Sequence, residues 1–299
     1  MKVVTRITFW DQKGEKFFGE GPARLLKGIE EHGSLRCAAM SMDMAYTKAL
    51  KLMKNAEAAL DFPLTTRITG GRDGGGSTLT PEGKAWLRRY EAYTKACEEA
   101  NQQMFRTFFP KVGCVIMASG LGKRFGGNKL MSDFRGEAMI AKALHASRSL
   151  KENRVVVTRH QDVAELCREH GVQVVLHDLP HRSDTVRLGL EALGDVDACL
   201  FLPADQPLLR SQTVEQLVAH WENNQQRMVR PSYEDTPGAP VVFPAWTFPQ
   251  LRNLPEGKGG GWVMKQHPEW VENLPIDDQY ELMDADTPQT LEMLQKHGK

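Results

Sequence analysis

The chain has 299 residues, of which 41% are hydrophobic and 25% are charged, and its formal net charge at pH 7 is zero. These values are typical of a globular protein with enough residues for two domains. No apolar stretch approaches the roughly 20 residues of a membrane-spanning helix, and the first residues lack the apolar core of a signal peptide. We therefore expect a cytoplasmic protein with no membrane partner.

The charge is divided unevenly along the chain. Residues 1–110 contain 17 Lys and Arg against 13 Asp and Glu, a net of +4, whereas residues 111–299 contain 21 against 25, a net of −4. A basic region can bind nucleic acid, but an excess of this size also arises by chance.

The cysteines show no metal-binding pattern. They are Cys37, Cys97, Cys114, Cys167 and Cys199. Because they are odd in number, widely scattered and without a C-x-x-C spacing, we expect reduced thiols with mostly structural roles.

The N-terminal part of the chain predicts three helices. Apolar spacing predicts the first over residues 21–31, and Gly33 ends it. Ser34 can cap a short second helix over residues 35–40. The third helix is predicted from about residue 43 to residue 60.

Lysines recur at every third position of the third predicted helix, as Lys48, Lys51 and Lys54. A helix, a short helix, a turn and a lysine-bearing helix follow one another in helix-turn-helix units. The lysines alone do not distinguish a DNA-contacting face from a merely solvated one.

A predicted hairpin follows these helices. Two short β segments, 64–69 and 77–79, flank the glycine-rich run 70–76, which contains Arg72. Two strands around a basic tip predict the wing of a winged helix. A long helix then begins at Pro81, a residue favoured in the first turn.

The region from about Phe18 to Phe109 resembles the DNA-binding domain of the molybdate-responsive transcription regulators. The shared segments are Glu30-Glu31-His32-Gly33-Ser34, Ala38-Ala39, Ala45-Tyr46, Thr69-Gly70-Gly71 and Leu79-Thr80-Pro81-Glu82-Gly83. The molybdate-binding domains of that family do not follow in this chain, so the resemblance does not imply molybdate sensing.

This resemblance implies an α+β winged helix-turn-helix domain over residues 1–110. The implied DNA-binding residues are Tyr46, Lys48, Lys51, Lys54 and Arg72. Because family members dimerise through helices beside the wing, a homodimer is expected. The residues Trp86, Tyr90, Tyr93 and Cys97 form an apolar stripe that either supports dimerisation or, more commonly, belongs to the core.

A glycine loop follows the apolar run 112–117. It reads Ala118-Ser119-Gly120-Leu121-Gly122-Lys123-Arg124-Phe125-Gly126-Gly127-Asn128-Lys129-Leu130. Glycines let backbone N–H groups approach phosphate oxygens, and Arg124 and Lys129 add positive charge, so the loop suits a nucleoside triphosphate. The Walker motif lacks its hydroxyl residue here, and the Rossmann glycine spacing is one residue too long. An ordinary glycine-rich turn remains the alternative.

Strands and helices alternate after residue 111. This order predicts an α/β domain with a mostly parallel sheet, helices on both faces and a ligand site at the carboxyl ends of the strands. The predicted strands are 112–117, 155–158, 172–176 and 198–202, and the predicted helices are 139–150, 163–170 and 185–193.

Asp205 directly follows the uncharged predicted strand 198–202. A carboxylate at this position suits Mg²⁺, which binds one or two carboxylates together with phosphate oxygens. A turn-forming aspartate before Gln-Pro is the alternative. Asp284 is a second candidate metal ligand, whereas Asp286 is expected to cap the last helix.

The chain from about Lys111 to its end resembles the nucleotidyltransferases that complete the molybdenum cofactor. The glycine loop is similar to their signature L-A-A-G-x-G-x-R-M-G-x-x-K. Three later segments match in order, Pro203-Ala204-Asp205-Gln206-Pro207, Gly238-Ala239-Pro240-Val241-Val242-Phe243 and Asp284-Ala285-Asp286-Thr287-Pro288. The second of these segments, with its G-x-P-V-x-F pattern, and an A-A-G loop start are typical of the cytidylyltransferase branch. The guanylyltransferase branch has A-G-G at the loop start. Ser119 matches neither loop start.

This second resemblance implies a Rossmann-like nucleotidyltransferase domain over residues 111–299, with Mg²⁺ as cofactor and CTP preferred to GTP. The implied catalytic residues are Arg124, Lys129 and Asp205, and the implied metal ligands are Asp205 and Asp284. The implied nucleotide-binding residues are Ala118, Ser119, Gly120, Leu121, Gly122, Lys129, Asp178 and Ser183. A helix cap at Ser183 or Asp184 is an equally good interpretation of that segment.

One segment departs from the family pattern. Where the family has G-D-x-G-A-R near the acceptor site, this chain has Gly257-Lys258-Gly259-Gly260-Gly261-Trp262. The flexible loop is expected to persist, but the replaced Asp and Arg weaken the inference of a pterin acceptor.

The sequence therefore predicts a molybdenum cofactor cytidylyltransferase that transfers CMP from CTP to the phosphate of molybdenum-loaded molybdopterin. The expected partners are the nucleotide, molybdopterin, DNA, and a molybdoenzyme or its chaperone. Two alternatives stay open: a transcription regulator whose transferase-like domain senses nucleotide or cofactor, and a nucleotidyltransferase that uses GTP or another acceptor.

Overall fold

The protein is described from a computed structural model. The described residues are 3–68, 76–122 and 125–297. The chain divides into two compact units, Met1–Phe108 and Phe109–Lys299. Two residues with predicted roles, Arg72 and Arg124, lie outside the described ranges.

Helices and antiparallel hairpins make up most of the described part of the first unit. In chain order the elements are β1 (Thr8–Trp10), β2 (Lys16–Gly19), α1 (Glu20–His32), α2 (Leu35–Ser41), α3 (Tyr46–Leu60), β3 (Thr65–Ile68), β4 (Gly76–Leu79) and α4 (Pro81–Phe108). β1 pairs with β2 and β3 pairs with β4. The hairpin β1–β2 is not among the elements predicted from the sequence.

The first helices end and begin where the sequence predicts. Gly33 ends α1 with a left-handed φ of 66°, and the Ser34 hydroxyl caps α2 by accepting a hydrogen bond from the backbone N–H of Arg36. The predicted start of α3 is three residues too early. Asp43 has a φ of 49°, which a right-handed helix excludes, and the helix begins at Tyr46.

Aromatic side chains join the hairpin β1–β2 to helix α4. Phe18 is fully buried, and its ring contacts the rings of Trp86 and Tyr90 edge-on at centroid distances of 5.6 and 5.1 Å. Trp86 and Tyr90 therefore belong to the core of this unit, which is the commoner interpretation of the α4 stripe. Tyr93, further along α4, is 52% exposed.

Helix α3 has one buried and one exposed face. Its buried residues are Ala49, Met53 and Ala56. Four of the five residues predicted to contact DNA are in α3 and are exposed, namely Tyr46, Lys48, Lys51 and Lys54. The tip between β3 and β4, which contains Arg72, lies outside the described residues.

The second unit is an α/β fold built on a mixed sheet. In chain order its elements are β5 (Val112–Ala118), β6 (Asp133–Phe134), β7 (Glu137–Ala138), α5 (Met139–Ala146), β8 (Arg154–Thr158), α6 (Gln161–Glu169), β9 (Gln173–Leu176), α7 (Arg182–Leu193), β10 (Ala198–Pro203), α8 (Ser211–Asn223), β11 (Met228–Tyr233), β12 (Thr236–Pro237), β13 (Val241–Pro244), α9 (Phe248–Arg252), α10 (Gly260–Gln266), β14 (Val271–Pro275) and α11 (Pro288–Lys296).

Eight strands of the described residues form the main sheet, in the order β12-β11-β13-β10-β5-β8-β9 with β14 beside β11. The strands β10, β5, β8 and β9 are parallel, so the predicted mostly parallel sheet is confirmed. β13 joins β10 antiparallel and leads to an edge that the sequence analysis did not predict. β5 and β10 lie at the centre and are almost entirely buried.

The predicted helix over residues 139–150 is shorter than expected. α5 ends at Ala146, and a 3₁₀ segment follows. The guanidinium of Arg154 donates hydrogen bonds to the carbonyl of Leu144 and the hydroxyl of Ser147, and these bonds satisfy the helix end. Among the helices of the described residues, none is both long and apolar enough to cross a membrane.

All five cysteines are free thiols. Burial raises the pKa of Cys114 to about 12 and that of Cys167 to about 11. Both therefore remain protonated near neutral pH, which fits the structural role predicted for them.

Helix α7 crosses strand β5 at Gly189, a position without room for a side chain. A Cβ built on Gly189 lies 2.5 Å from Cγ1 of Val115. We expect Gly189→Ala to destabilise the protein by about 1–3 kcal/mol, because the added methyl overpacks the sheet face. The midpoint of equilibrium urea unfolding measures this effect.

Gly261→Ala is the matched control. Gly261 lies in helix α10, is exposed, and has open space where its Cβ would lie. We expect no loss of stability, or a gain of up to about 1 kcal/mol from helix propensity. Equal destabilisation by the two variants would contradict close packing of α7 on β5.

Candidate active site

A cavity of about 720 Å³ lies at the carboxyl ends of β5, β8 and β10. Its volume is in the range of small-molecule sites. The lining residues follow these strands, begin α7, or belong to two later segments. They include Ser119–Gly122, Lys129, Leu130, Arg159, Pro180–Arg182, Thr185, Asp205, Gln206, Pro237–Ala239, Leu282, Asp284 and Asp286.

The structure brings most of the predicted site residues into this cavity. Those in its wall are Ser119, Gly120, Leu121, Gly122, Lys129, Asp205 and Asp284. Ala118 is not in the wall, because it is buried in β5. Asp178 is exposed and Ser183 is half-buried, and neither lines the cavity.

The glycine loop turns sharply at Gly122. Its φ is 58°, and a Cβ there would lie 2.4 Å from the carbonyl oxygen of Gly127, so a glycine is required on both grounds. The carbonyl of Gly122 accepts hydrogen bonds from the backbone N–H groups of Phe125 and Gly126 at 2.8 and 3.2 Å. In the part of the chain that is described, the N–H groups of residues 120–122 have no protein acceptor. They can therefore serve a bound anion.

Asn128 fixes the point at which the chain leaves the glycine loop. Its Nδ2 donates to both carboxylate oxygens of Asp162, at 2.7 and 2.9 Å. Its Oδ1 accepts the backbone N–H of Leu130 and caps the 3₁₀ segment Lys129–Met131. Lys129 consequently starts on a rigid turn, and its side chain enters the cavity while the residue stays 8% exposed.

The Lys129 ammonium group joins two carboxylates from distant parts of the chain. Its Nζ lies 2.6 Å from Oδ2 of Asp205 and 2.8 Å from Oδ1 of Asp286. Burial alone would lower the pKa of Lys129, but the charges and hydrogen bonds of Asp205 and Asp286 outweigh it and raise the pKa. Lys129 is therefore a permanent cation at neutral pH, and a buried cation needs such partners.

Asp284 lines the cavity together with Asp205 and Asp286, and these three carboxylates are called here the acidic wall. Its Oδ1 accepts a hydrogen bond from Nε2 of Gln206 at 3.0 Å. Its pKa is raised, first because surrounding protein displaces water from the carboxyl group, and second because the carboxylates of Asp205 and Asp286 repel its negative charge. A cation beside Asp284 would relieve this repulsion.

The acidic wall fits a divalent cation that arrives with a ligand better than a resident metal. No group of three or more His, Cys, Asp or Glu in the described ranges has a metal-binding arrangement. Mg²⁺, however, commonly takes one or two protein carboxylates and completes its coordination with waters and phosphate oxygens. Asp205 and Asp284 supply that number of carboxylates on one wall.

The expected capping role of Asp286 is wrong. The Thr287 hydroxyl caps α11 by accepting the N–H of Thr290 at 3.1 Å, which leaves the Asp286 carboxylate for Lys129. Glu281 anchors the same segment. It is 1% exposed, and its carboxylate accepts hydrogen bonds from Arg210 and Thr213 at the start of α8. No sequence signal indicated Glu281, because its partners are about 70 residues away.

A second part of the cavity wall, called here the basic wall, contains Arg159 and Arg182, which were not among the predicted site residues. Arg159 follows β8, and Arg182 begins α7. The alternative of a helix cap at Ser183 is wrong, because His181 is the N-cap of α7. Asp184 does take part in the capping, since its carboxylate accepts a hydrogen bond from the backbone N–H of His181 at 3.1 Å. The only sequence signal for the basic wall was Arg159, which directly follows the predicted strand 155–158.

The segment that departs from the family pattern is partly helical. α10 begins at Gly260, where a Cβ would lie 2.4 Å from the ring of Phe243. Gly259 lies against the Arg182 side chain, because a Cβ built on Gly259 would be only 3.1 Å from Nε of Arg182. The expected flexible loop is thus replaced by glycines that allow close packing beside the basic wall.

Two known proteins are similar to different parts of this chain. The 3-deoxy-manno-octulosonate cytidylyltransferase of Neisseria meningitidis is 28% identical over 116 residues, which are 36% of this chain and 44% of that enzyme. The transcriptional regulator ModE of Haemophilus influenzae is 34% identical over 77 residues, which are 26% of this chain and 30% of that protein; the ModE similarity lies in the N-terminal region. The chain thus spans less than half the length of either relative.

A solved structure and a family model agree on the second unit. A nucleotidyl transferase from Methanothermobacter has a TM-score of 0.54 and 20% sequence identity, covering 62% of this chain and 97% of that chain, which shows a shared fold. The model of the MobA-like NTP transferase domain matches residues 114–270. These residues contain most of β5, all of β8 and β10, the glycine loop, Lys129 and Asp205. By this match the chain belongs to the family of MobA-like NTP transferase domains.

Proposed function

We propose that the second unit, residues 111–299, is a cytidylyltransferase that transfers CMP from CTP to the phosphate of molybdenum-loaded molybdopterin. The observation that carries this proposal is the meeting of the glycine loop, Lys129 and Asp205 in one cavity. Loop N–H groups can bind phosphates, the lysine can neutralise their charge, and the carboxylate can hold a cation.

The reaction requires positioning more than proton transfer. An oxygen of the acceptor phosphate attacks the α-phosphorus of CTP, a new O–P bond forms, and the bond from the α-phosphorus to pyrophosphate breaks. The attacking oxygen is already anionic near neutral pH, so no side chain has to remove a proton from it. Catalysis then rests on orientation and on stabilisation of developing charge.

Each part of the cavity has a role in this proposal. The N–H groups of Gly120, Leu121 and Gly122 bind the β- and γ-phosphates. Lys129 offsets the charge that moves onto pyrophosphate. The same role is proposed for Arg124, which is not among the described residues. Asp205 and Asp284 would hold Mg²⁺, which supplies charge neutralisation at the phosphates when bound.

The acceptor is proposed from both halves of the chain. The second unit belongs to the MobA-like family, and the N-terminal region is similar to ModE, so both resemblances concern molybdenum. The cytidylyltransferase relative from Neisseria supports CTP as the donor and keeps a sugar acid open as another acceptor.

We further propose that residues 1–110 form a winged helix-turn-helix domain that binds DNA. The exposed residues Tyr46, Lys48, Lys51 and Lys54 of α3, with Arg72 of the tip, would make the contacts. This arrangement links cofactor completion to transcription. The second candidate function, a regulator whose transferase-like unit only senses nucleotide, is favoured by the same ModE similarity and predicts binding without turnover.

The first test is Asp205→Asn, which keeps the size of the side chain but removes the charge. We expect CTP to bind still, whereas pyrophosphate release with molybdopterin falls about a hundredfold or more, because transition-state charge is no longer balanced. Lys129→Ala should cause a loss that partly overlaps with it, since both act on the same phosphates. Asp235→Asn, at an exposed turn, is the control.

The outcome of this test separates the candidates. Near-normal turnover by a folded Asp205→Asn protein would make Asp205 a turn residue and refute the proposed site. A wild-type protein that binds CTP but transfers nothing to any phosphate acceptor would favour the sensor.

The second test concerns the base. Ser119 lies in the cavity wall where the two enzyme branches have Ala or Gly, and its side chain should reduce the room for a purine. We expect faster turnover with CTP than with GTP, and Ser119→Gly should reduce that preference. Steady-state kinetics with both nucleotides measure it, and a wild-type preference for GTP would reverse the assignment.

The third test concerns DNA. Replacing Lys48, Lys51 and Lys54 by Gln should weaken DNA binding and lower its salt dependence, since each lost phosphate contact removes roughly 0.9 from the log–log slope. Fluorescence anisotropy of the full chain with labelled genomic fragments measures both quantities. Gln at the exposed Lys13, Lys84 and Lys95 makes the same charge change elsewhere in the unit. Equal effects of the two triple variants would refute a recognition role for α3.

A further inference from the structure

The first three residues of the glycine loop are each held by a side chain from a neighbouring strand end. The carbonyl of Ala118 accepts a hydrogen bond from the Thr158 hydroxyl at 2.9 Å. The carbonyl of Gly120 accepts one from Nε2 of His160 at 2.8 Å. Between them, the Ser119 hydroxyl is hydrogen-bonded to Nε2 of His177 at 2.8 Å.

The contacts of His177 fix where its ring proton lies. The backbone N–H of Leu179 donates to Nδ1 at 3.2 Å, so Nδ1 has to be unprotonated. The proton of the neutral ring is therefore on Nε2, which donates to Oγ of Ser119. Ser119 in turn donates its own proton to the carbonyl of Val157 at 3.0 Å. The chain of bonds runs in one direction, and each donor is used once.

A protonated His177 does not fit this arrangement. A second ring proton would be placed on Nδ1 and would face the N–H of Leu179, donor against donor. The ring would then have to move, and the Ser119 hydroxyl would lose its donor. His177 lies behind Ser119 rather than in the cavity wall, so it acts on a ligand only through the loop.

We propose that His177 is a positioning residue which, through the Ser119 hydroxyl, holds the glycine loop in its nucleotide-binding shape only while the imidazole is neutral. The inference rests on the proposed nucleotide site and adds to it a dependence of nucleotide affinity on pH. It also explains why a hydroxyl residue is useful at position 119.

The charged groups around His177 set the direction of this dependence. Burial first, and then the positive charge of Arg159 after β8, lower the pKa of His177 below its ordinary value of 6.5. Asp178 and Asp184 oppose this lowering, and Arg187 on α7 adds to it. A lowered pKa keeps the ring neutral and the loop held at neutral pH. Affinity should then fall as the pH drops through the pKa of His177 in the folded protein, which lies below 6.5.

The test measures CTP affinity by calorimetry, with Mg²⁺ and no acceptor, between pH 5 and pH 8. His177→Gln keeps a donor near the position of Nε2 but does not titrate. We expect wild-type affinity to fall about three- to tenfold relative to this variant on acidification, the size of one lost hydrogen bond. Because phosphate groups also take up a proton at roughly pH 6, the difference between the two proteins is the readout.

Three further proteins complete the experiment. Ser119→Ala removes the hydroxyl and should abolish the pH difference that depends on His177. His177→Ala should bind CTP more weakly than wild type at pH 7.5. His145→Gln, at the end of α5 beside Glu137, should follow the wild-type pH profile.

The ring itself can be observed without nucleotide. Nitrogen NMR of the His177 side chain should show a proton on Nε2 and an unprotonated Nδ1 at pH 7.5. A proton on Nδ1, or identical pH profiles for wild type and His177→Gln, would overturn this inference and leave the proposed function standing. No CTP binding by wild type at any pH would overturn both.

Discussion

The contact between Lys129 and the carboxylates of Asp205 and Asp286 is the interaction on which the site depends. It joins the segment after the glycine loop, the end of the central strand β10 and the segment before the last helix. Each charge is partly removed from water, so the ammonium group and the two carboxylates stabilise one another there. The ion-pair network therefore helps to fix the positions of three chain segments, two of which are also joined directly, by the hydrogen bond from the N–H of Ala285 to the carbonyl of Asp205 and by that from Gln206 to Asp284.

The supporting contacts around this network are neutral or fully paired. Asn128 with Asp162 holds the backbone of Lys129, and Glu281 with Arg210 and Thr213 holds the segment that carries Asp284 and Asp286. These contacts use up their own hydrogen-bonding groups. The glycine loop, the acidic wall and the basic wall all line the cavity, so the cavity presents groups of both charges to a ligand.

Local sequence signals predicted well what local interactions decide. Apolar runs gave the four parallel strands, Gly33 and Ser34 gave the ends of α1 and α2, and the positions directly after strands gave the glycine loop and Asp205. Long-range pairings were not predictable in this way. The lysine partner of Asp286, the clamp at Glu281 and the antiparallel strands β11 and β13 all depend on residues that are far apart in sequence. Asp286 was expected to cap α11, whereas the next residue, Thr287, is the cap and the Asp286 carboxylate contacts Lys129, which is more than 150 residues away in sequence.

The absence of a side chain at Gly189 affects how firmly one part of the cavity wall is held. Because α7 touches β5 there without an intervening side chain, sliding the helix that carries Arg182 along the strand that carries the glycine loop would bring a larger side chain against Val115. These two parts of the wall therefore move as one block. The turn at Gly238, in another part of the cavity wall, is packed in the same way against Leu282, since a Cβ on Gly238 would lie 2.8 Å from Cδ1 of Leu282. The shape of the cavity therefore depends on glycine at Gly189 and Gly238, where close packing leaves no room for a side chain.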